Sequence, residues 1–276
     1  MRLVFFGTPD FAVPSLRGLA GRYLLAGVVT QPDRPAGRGR RLQSSPVKEC
    51  AQELGLPILQ PERIRSAEAL AALNSWHPDL IVVVAFGQIL PRSVLGLPGH
   101  GCVNVHASLL PRWRGASPVQ AALLHGDATT GITLMKMDEG MDSGPIIAQR
   151  SLAIRPDHTG GSLTAELAAM GAHLLLDTLP AFLSGTIALR PQDHLQATFA
   201  PRLSRQDGRL DPHHPADVLE RQVRAFLPSP GATLLWGDLT MKIMAAHLET
   251  AEHDLPAGTV ADRNGSPALA TGSGWL

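Results

Sequence analysis

The sequence predicts an α/β protein: an open, mainly parallel sheet with helices on both faces, followed by a small β-barrel domain. Short runs rich in Val, Ile and Phe at residues 3–6, 25–30, 80–86 and 102–106 read as strands buried on both faces. Stretches of helical spacing alternate with them, which favours a parallel sheet with right-handed crossovers. Beyond about residue 208 the pattern becomes short strands with regular turns, which suits a small barrel.

The first strand runs into Gly7-Thr8-Pro9-Asp10-Phe11-Ala12, the position at which a dinucleotide-binding protein carries three spaced glycines. That pattern is missing, which excludes a nicotinamide cofactor, and no GxxxxGK[ST] phosphate loop occurs elsewhere. Gly7 permits a tight turn, whose amides serve either the turn alone or a ligand. Helices are expected at 14–20, 46–54 and 67–76, the second started by Ser45 as cap and Pro46 in the first turn. A helix at 118–124 and strands at 132–137 and 146–154 follow. The stretch 161–183 repeats Leu163, Leu167, Met170, Leu174, Leu175 and Leu179 at helical spacing, a core face rather than a cofactor box. Residues 185–208 are polar and interrupted by Pro191 and Pro201, so the expected division is a domain at 1–188, a linker at 189–207 and a second domain at 208–276. In the last, a helix is expected at 216–226 and strands at 233–236, 241–245, 258–260 and 268–270.

At 276 residues and 44% hydrophobic content the chain can bury a substantial core. Its formal net charge is zero, so any contact with a polyanion must come from local charge. Cys50 and Cys102 are too few for a disulfide scaffold, and no residue set has metal-ligand spacing, so no metal is expected. A reducing cytoplasm is the expected setting. No run approaches the roughly 20 apolar residues of a membrane span, and no membrane partner is expected.

Chemistry concentrates in two segments. Asn104 and His106 stand two residues apart on an expected strand, so both side chains point the same way, near the carboxyl edge where open α/β sheets hold ligands. Asp142 lies in the Gly-rich turn Met137-Asp138-Glu139-Gly140-Met141-Asp142-Ser143-Gly144-Pro145. It either shapes that turn or manages a proton beside His106. Ser108-Leu109-Leu110-Pro111 and Arg112-Trp113-Arg114-Gly115 read as a turn-rich lip, the latter supplying stacking and charge or only a solvent-facing rim. The loop at 33–43 carries Arg34, Arg38, Arg40 and Arg41 between glycines, either a solvated surface or a phosphate-binding loop.

Asn104, His106, Ser108-Leu109-Leu110-Pro111, Gly115, Asp142 and Gly144-Pro145 together resemble the folate-dependent formyltransferases, and within them the branch acting on methionyl-tRNA. The likeness extends over most of the chain: residues 5–12, Thr30-Gln31-Pro32-Asp33-Arg34-Pro35-Ala36-Gly37-Arg38-Gly39, Val84-Ala85-Phe86-Gly87-Gln88-Ile89-Leu90-Pro91, Met137 to Asp142, Ala200-Pro201-Arg202-Leu203 and Arg224-Ala225-Phe226.

The resemblance implies transfer of the formyl group of 10-formyltetrahydrofolate, the co-substrate, to the α-amine of initiator methionyl-tRNA, by a Rossmann-like catalytic domain with an OB-like second domain. Asn104, His106 and Asp142 would be catalytic. Val84, Phe86, Gly87, Ile89, Leu90, Ser108, Leu109, Leu110, Pro111 and Asp138 would line the folate pocket, although Val84 and Phe86 equally suit the core and Asp138 suits turn duty. Arg34, Arg38, Arg40 and Arg41 would meet tRNA, and the protein is expected to act as a monomer. Related chemistry on a small amine, such as a glycinamide or amino-sugar nucleotide, or folate and RNA binding without turnover, are the alternatives.

The family pattern normally continues through at least one more strand beyond Trp275-Leu276, so the barrel is expected to be incomplete. From Asp211 to Leu276 there are eight acidic residues against four Lys and Arg, a balance of minus four, unlike a basic RNA groove.

Overall fold

The computed structural model describes residues 1–36 and 41–276. The amino-terminal elements are β1 (Arg2–Gly7), α1 (Val13–Ala20), β2 (Leu24–Val29), β3 (Arg34–Ala36), β4 (Arg41–Gln43), α2 (Pro46–Glu53), β5 (Ile58–Leu59), α3 (Ala67–Ser75), β6 (Leu80–Val84), α4 (Arg92–Leu95) and β7 (Cys102–His106). After them come β8 (Arg114–Gly115), α5 (Pro118–Leu124), β9 (Thr129–Lys136), β10 (Ile146–Ala153), α6 (Gly160–Leu183), β11 (Phe199–Ala200), α7 (Ala216–Ala225) and β12 (Ala232–Trp236) to β15. The last three strands are β13 (Leu239–Ile243), β14 (Val260–Arg263) and β15 (Ser266–Leu269).

Two compact units share the chain: Met1–Arg114, Gly131–Ser151 and Ala165–Thr198 form one, and Gly115–Thr130, Leu152–Thr164 and Phe199–Leu276 form the other. The chain passes between these two units several times. A physical reason is visible in the second unit, where Arg221 Nε on α7 donates to the Leu124 carbonyl that ends α5 (3.2 Å), and α5 packs along α7.

The first unit carries a seven-stranded sheet in the order β10-β9-β7-β6-β1-β2-β5. β1 is parallel to β2 and β6, β2 to β5 and β6 to β7, whereas β9 runs antiparallel to β7. Leu3, Val4, Phe5, Phe6, Ile81 and Val82 are fully buried, as strands covered on both faces require. Burying each such side chain contributes about 1.5–3 kcal/mol. Strand order reverses between β1 and β6, and the edge beyond Gly7 and Val84 is the position where open α/β sheets take ligands. Gly7 is required there, because a Cβ would stand 2.8 Å from the Ala12 Cβ and 3.0 Å from the Val84 carbonyl oxygen.

Ser45 caps α2 as expected, its Oγ accepting from the Lys48 amide (3.1 Å). β6 ends at Val84, two residues before the expected end, because Ala85 turns to φ 48°. Helix α6 is long and apolar enough to cross a membrane by length and composition; its residues Leu163, Leu167, Leu174, Leu175 and Leu179 are buried and Met170 is partly buried.

In the second unit Leu210, Leu219, Val223, Ala232, Leu234 and Leu269 form one core. Its longer strands form two antiparallel hairpins, β12–β13 and β14–β15, supplemented by single bridges such as Glu249 to Trp275. Strands expected at 258–260 and 268–270 lie instead at Val260–Arg263 and Ser266–Leu269. Between them Asn264 and Gly265 both take positive φ (55° and 80°), the tight hairpin turn that Asn-Gly favours.

Candidate active site

The site grows out of the last parallel strand. β7 holds Asn104 opposite Val83 of β6 and Met135 of β9, and puts His106 on the same side, opposite Thr133. Both side chains are buried. The segment after the strand folds back on itself. Ser108 Oγ donates to the Arg112 carbonyl (2.6 Å), Thr133 Oγ1 donates to the Ser108 carbonyl (2.7 Å), and the Leu110 amide donates to Thr133 Oγ1 (3.0 Å). This fold delivers the Trp113 carbonyl to His106 Nε2 at 2.9 Å, with Trp113 in the left-handed region at φ 61°.

A carbonyl only accepts, so the Nε2 of His106 carries the hydrogen in that bond. The atom left for chemistry is Nδ1. It lies 3.6 Å from Asp142 Oδ2, longer than a hydrogen bond. Asp142 Oδ1 accepts from Asn104 Nδ2 at 3.3 Å. Amide, imidazole and carboxylate are thus brought together as the sequence predicts. The Asp142 side chain is 16% exposed, enough to meet a reactant.

Asp142 takes φ 49°, a left-handed backbone that Asp tolerates better than most residues. Its neighbours hold that shape. Asp138 Oδ1 accepts from the Gly140 amide (3.0 Å) and Ser143 Oγ (2.8 Å). Gly144 lies so close to β9 that a Cβ would come within 1.9 Å of the Lys136 carbonyl oxygen. Gln192 Nε2 donates to the carbonyls of Asp142 (2.9 Å) and Gly144 (2.7 Å), and Gln192 Oε1 accepts from Arg114 Nη2 (2.7 Å) and Nε (3.2 Å).

Such a cluster has three abilities: Asn104 donates a hydrogen bond to developing negative charge, His106 does the same through a protonated Nδ1, and Asp142 accepts a proton. Fixed donors aimed at an oxyanion contribute on the order of 3 kcal/mol each.

The expected folate-lining residues divide. The side chains of Val84, Phe86 and Leu90 are buried in the core, Phe86 edge-on to Phe6 with ring centroids 5.0 Å apart. The Phe86 carbonyl already accepts from Thr8 Oγ1 (3.0 Å) and Gln31 Nε2 (3.1 Å). Ile89 is exposed and Gly87 has φ 88°, so these two remain open to a ligand. Leu110 is core and its carbonyl accepts from Gln149 Nε2 (2.9 Å), whereas Leu109 and Pro111 are half-buried and Ser108 is spent on the Arg112 carbonyl. Asp138 serves its turn.

Arg114 is a correction of a different kind: it is buried with Gln192 rather than forming a solvent rim, while the Arg112 guanidinium lies 4.3 Å from the Trp113 ring centroid. Of the loop arginines, Arg34 is exposed and 3.8 Å from Glu62, and Arg41 is placed by its backbone in β4. Arg38 and Arg40 lie outside the described residues. The loop is entered through Asp33, which Lys48 (2.5 Å) and Gln60 (2.8 Å) grip; the Lys48 hydrogen bond, and then that of Gln60, hold the carboxyl below the usual carboxylate range.

Sequence reasoning missed Gln192 and the role of the Trp113 carbonyl. Gln192 falls in the expected linker at 189–207, a stretch whose composition resembles any polar connection, and a backbone carbonyl leaves no sequence signal.

Residues 1–179 match the formyl transferase family and residues 202–276 the formyl transferase C-terminal domain. The chain is 50% identical to methionyl-tRNA formyltransferase of Roseiflexus castenholzii and 52% identical to that of Halorhodospira halophila, in each case over 100% of this chain and 89% of the relative. Among solved structures, a sugar 3N-formyl transferase crystallised in the presence of dTDP and 5-N-formyl-THF matches with a TM-score of 0.72 at 17% identity, covering 100% of this chain and 95% of that one. Methionyl-tRNA formyltransferase from Clostridium thermocellum matches with a TM-score of 0.61 at 17% identity, covering 98% and 96%.

Proposed function

The chain belongs to the formyl transferase family, and we propose that it moves the formyl group of 10-formyltetrahydrofolate to the α-amine of methionine on initiator tRNA, acting as a monomer. The observation that carries the chemistry is the contact of one carboxylate, Asp142, with both Asn104 and His106. Identity of about half to methionyl-tRNA formyltransferases along the whole chain carries the acceptor.

The neutral amine attacks the formyl carbon, and the carbon–oxygen double bond becomes an oxyanion. Asn104 Nδ2 and the protonated Nδ1 of His106 donate to that oxygen. Asp142 takes the proton that the amine loses on forming its bond to carbon. The bond between the formyl carbon and the folate nitrogen then breaks, the carbonyl re-forms, and the proton passes to the departing nitrogen. Gly87, Ile89, Leu109 and Pro111 border the folate, and Arg34, Arg38, Arg40 and Arg41 meet tRNA phosphates.

The test is direct: incubate the protein with 10-formyltetrahydrofolate and either methionyl initiator tRNA or amino-sugar nucleotides, and follow tetrahydrofolate release. Formylmethionyl-tRNA is the expected product. Transfer only to the nucleotide sugar assigns the acceptor to the small-amine class, and transfer to neither leaves a binding protein.

A further inference from the structure

The geometry points to Gln192, oriented by the buried Arg114, as a positioning residue that aims the Asp142 carboxylate during formyl transfer. This rests on the function proposed above. Gln192 and Arg114 are 6% and 5% exposed. A guanidinium has only donors, so the Arg114 fork fixes the amide oxygen of Gln192 toward itself. The amide nitrogen is left facing the other way, where it holds the carbonyls of Asp142 and Gly144 at 2.9 and 2.7 Å. Both acceptor positions and both hydrogens of the amide are thereby used, and its orientation has no alternative.

The consequence falls on Asp142. Its left-handed backbone, φ 49°, is a conformation from which a residue relaxes unless its surroundings hold it. Gln192 grips the carbonyl on one side of that residue's turn and the Gly144 carbonyl two residues on. Released, the backbone would carry the carboxylate away from Asn104 and His106. A guanidinium on the far side of the amide also polarises it and strengthens its hold on the two carbonyls. Arg114 Nη2 reaches His194 Nδ1 as well (3.1 Å), so the buried cation has a second acceptor.

Gln192→Met keeps the length of the side chain and removes both donors. Its kcat for formyl transfer is expected to fall about 10- to 100-fold, as a displaced catalytic group predicts. KM for folate and for tRNA should stay within about twofold. A role confined to stability would lower Tm and leave kcat per folded protein at the wild-type level. Wild-type kcat, or a loss carried by KM alone, overturns the inference. Should Gln192→Met not fold, Arg114→Lys decides: it keeps the charge but loses the fork, and kcat at the wild-type level is again the contrary result. Failure of the wild-type protein to formylate any amine in the same assay contradicts the function and not the positioning role alone.

Discussion

In the proposed mechanism Asn104, His106 and Asp142 divide one reaction among three side chains, and each division can be measured. Asn104→Ala removes one oxyanion donor of about 3 kcal/mol, so kcat should fall on the order of 100-fold in steady-state assays with little change in Tm. Asp142→Asn keeps the left-handed backbone, which Asn also tolerates, and removes the proton acceptor; the expected result is a folded protein with normal folate affinity and kcat lowered by about 100-fold or more. Cys102 tests the interior beside this site. Burial pushes its thiol up to about 12, with Lys136 opposing. Alkylation at pH 8 should therefore be slower in the native protein than in urea by on the order of 10³-fold, followed by mass spectrometry. Asn104 and His106 are legible in the sequence as a pair because a strand's alternation fixes which side chains share a face. Gln192 is not, since its partner Arg114 is 78 positions away and nothing local pairs them.

Elements turn these residues into a site through their ends. Ser45 starts α2 by accepting the Lys48 amide and also bonds Thr30 Oγ1 at 2.7 Å, so Ser45→Ala should cost about 1 kcal/mol in urea unfolding. Lys48 on the same helix pairs with Asp33 at the base of the arginine loop. Because this carboxyl is held below its ordinary value of about 3.9, its stabilising effect is fully present above that pH and is lost as pH falls through the depressed value. The stability difference between wild type and Asp33→Asn should accordingly be constant from pH 7 to about 4 and vanish below. Gly144→Ala would drive a methyl into the Lys136 carbonyl and should distort the Asp142 turn, lowering both Tm and kcat. Strand and helix periodicity revealed most of these elements. Their ends depended on positive φ at Ala85 and on the Asn264-Gly265 turn, which side-chain hydropathy does not encode.

Across the whole molecule, the parallel sheet was legible because strands buried on both faces read as continuous apolar runs. The return of two internal segments to the second unit was not. Residues 115–130 and 152–164 cluster with the carboxyl-terminal segment, and a linear reading of composition cannot show a chain returning to an earlier neighbour. Within residues 189–207, read as a linker, Gln192 donates to the Asp142 carbonyl. With zero formal net charge, attraction for tRNA must be local, so Arg34→Ala should reduce the slope of log affinity against log salt by about 1. The most direct test of the whole account is single-turnover formyl transfer from 10-formyltetrahydrofolate to methionyl initiator tRNA by wild type and His106→Ala. Rapid formylmethionyl-tRNA formation is expected from the wild type, and a rate lower by on the order of 100-fold from the variant; an undiminished rate in a folded His106→Ala protein is the contrary result.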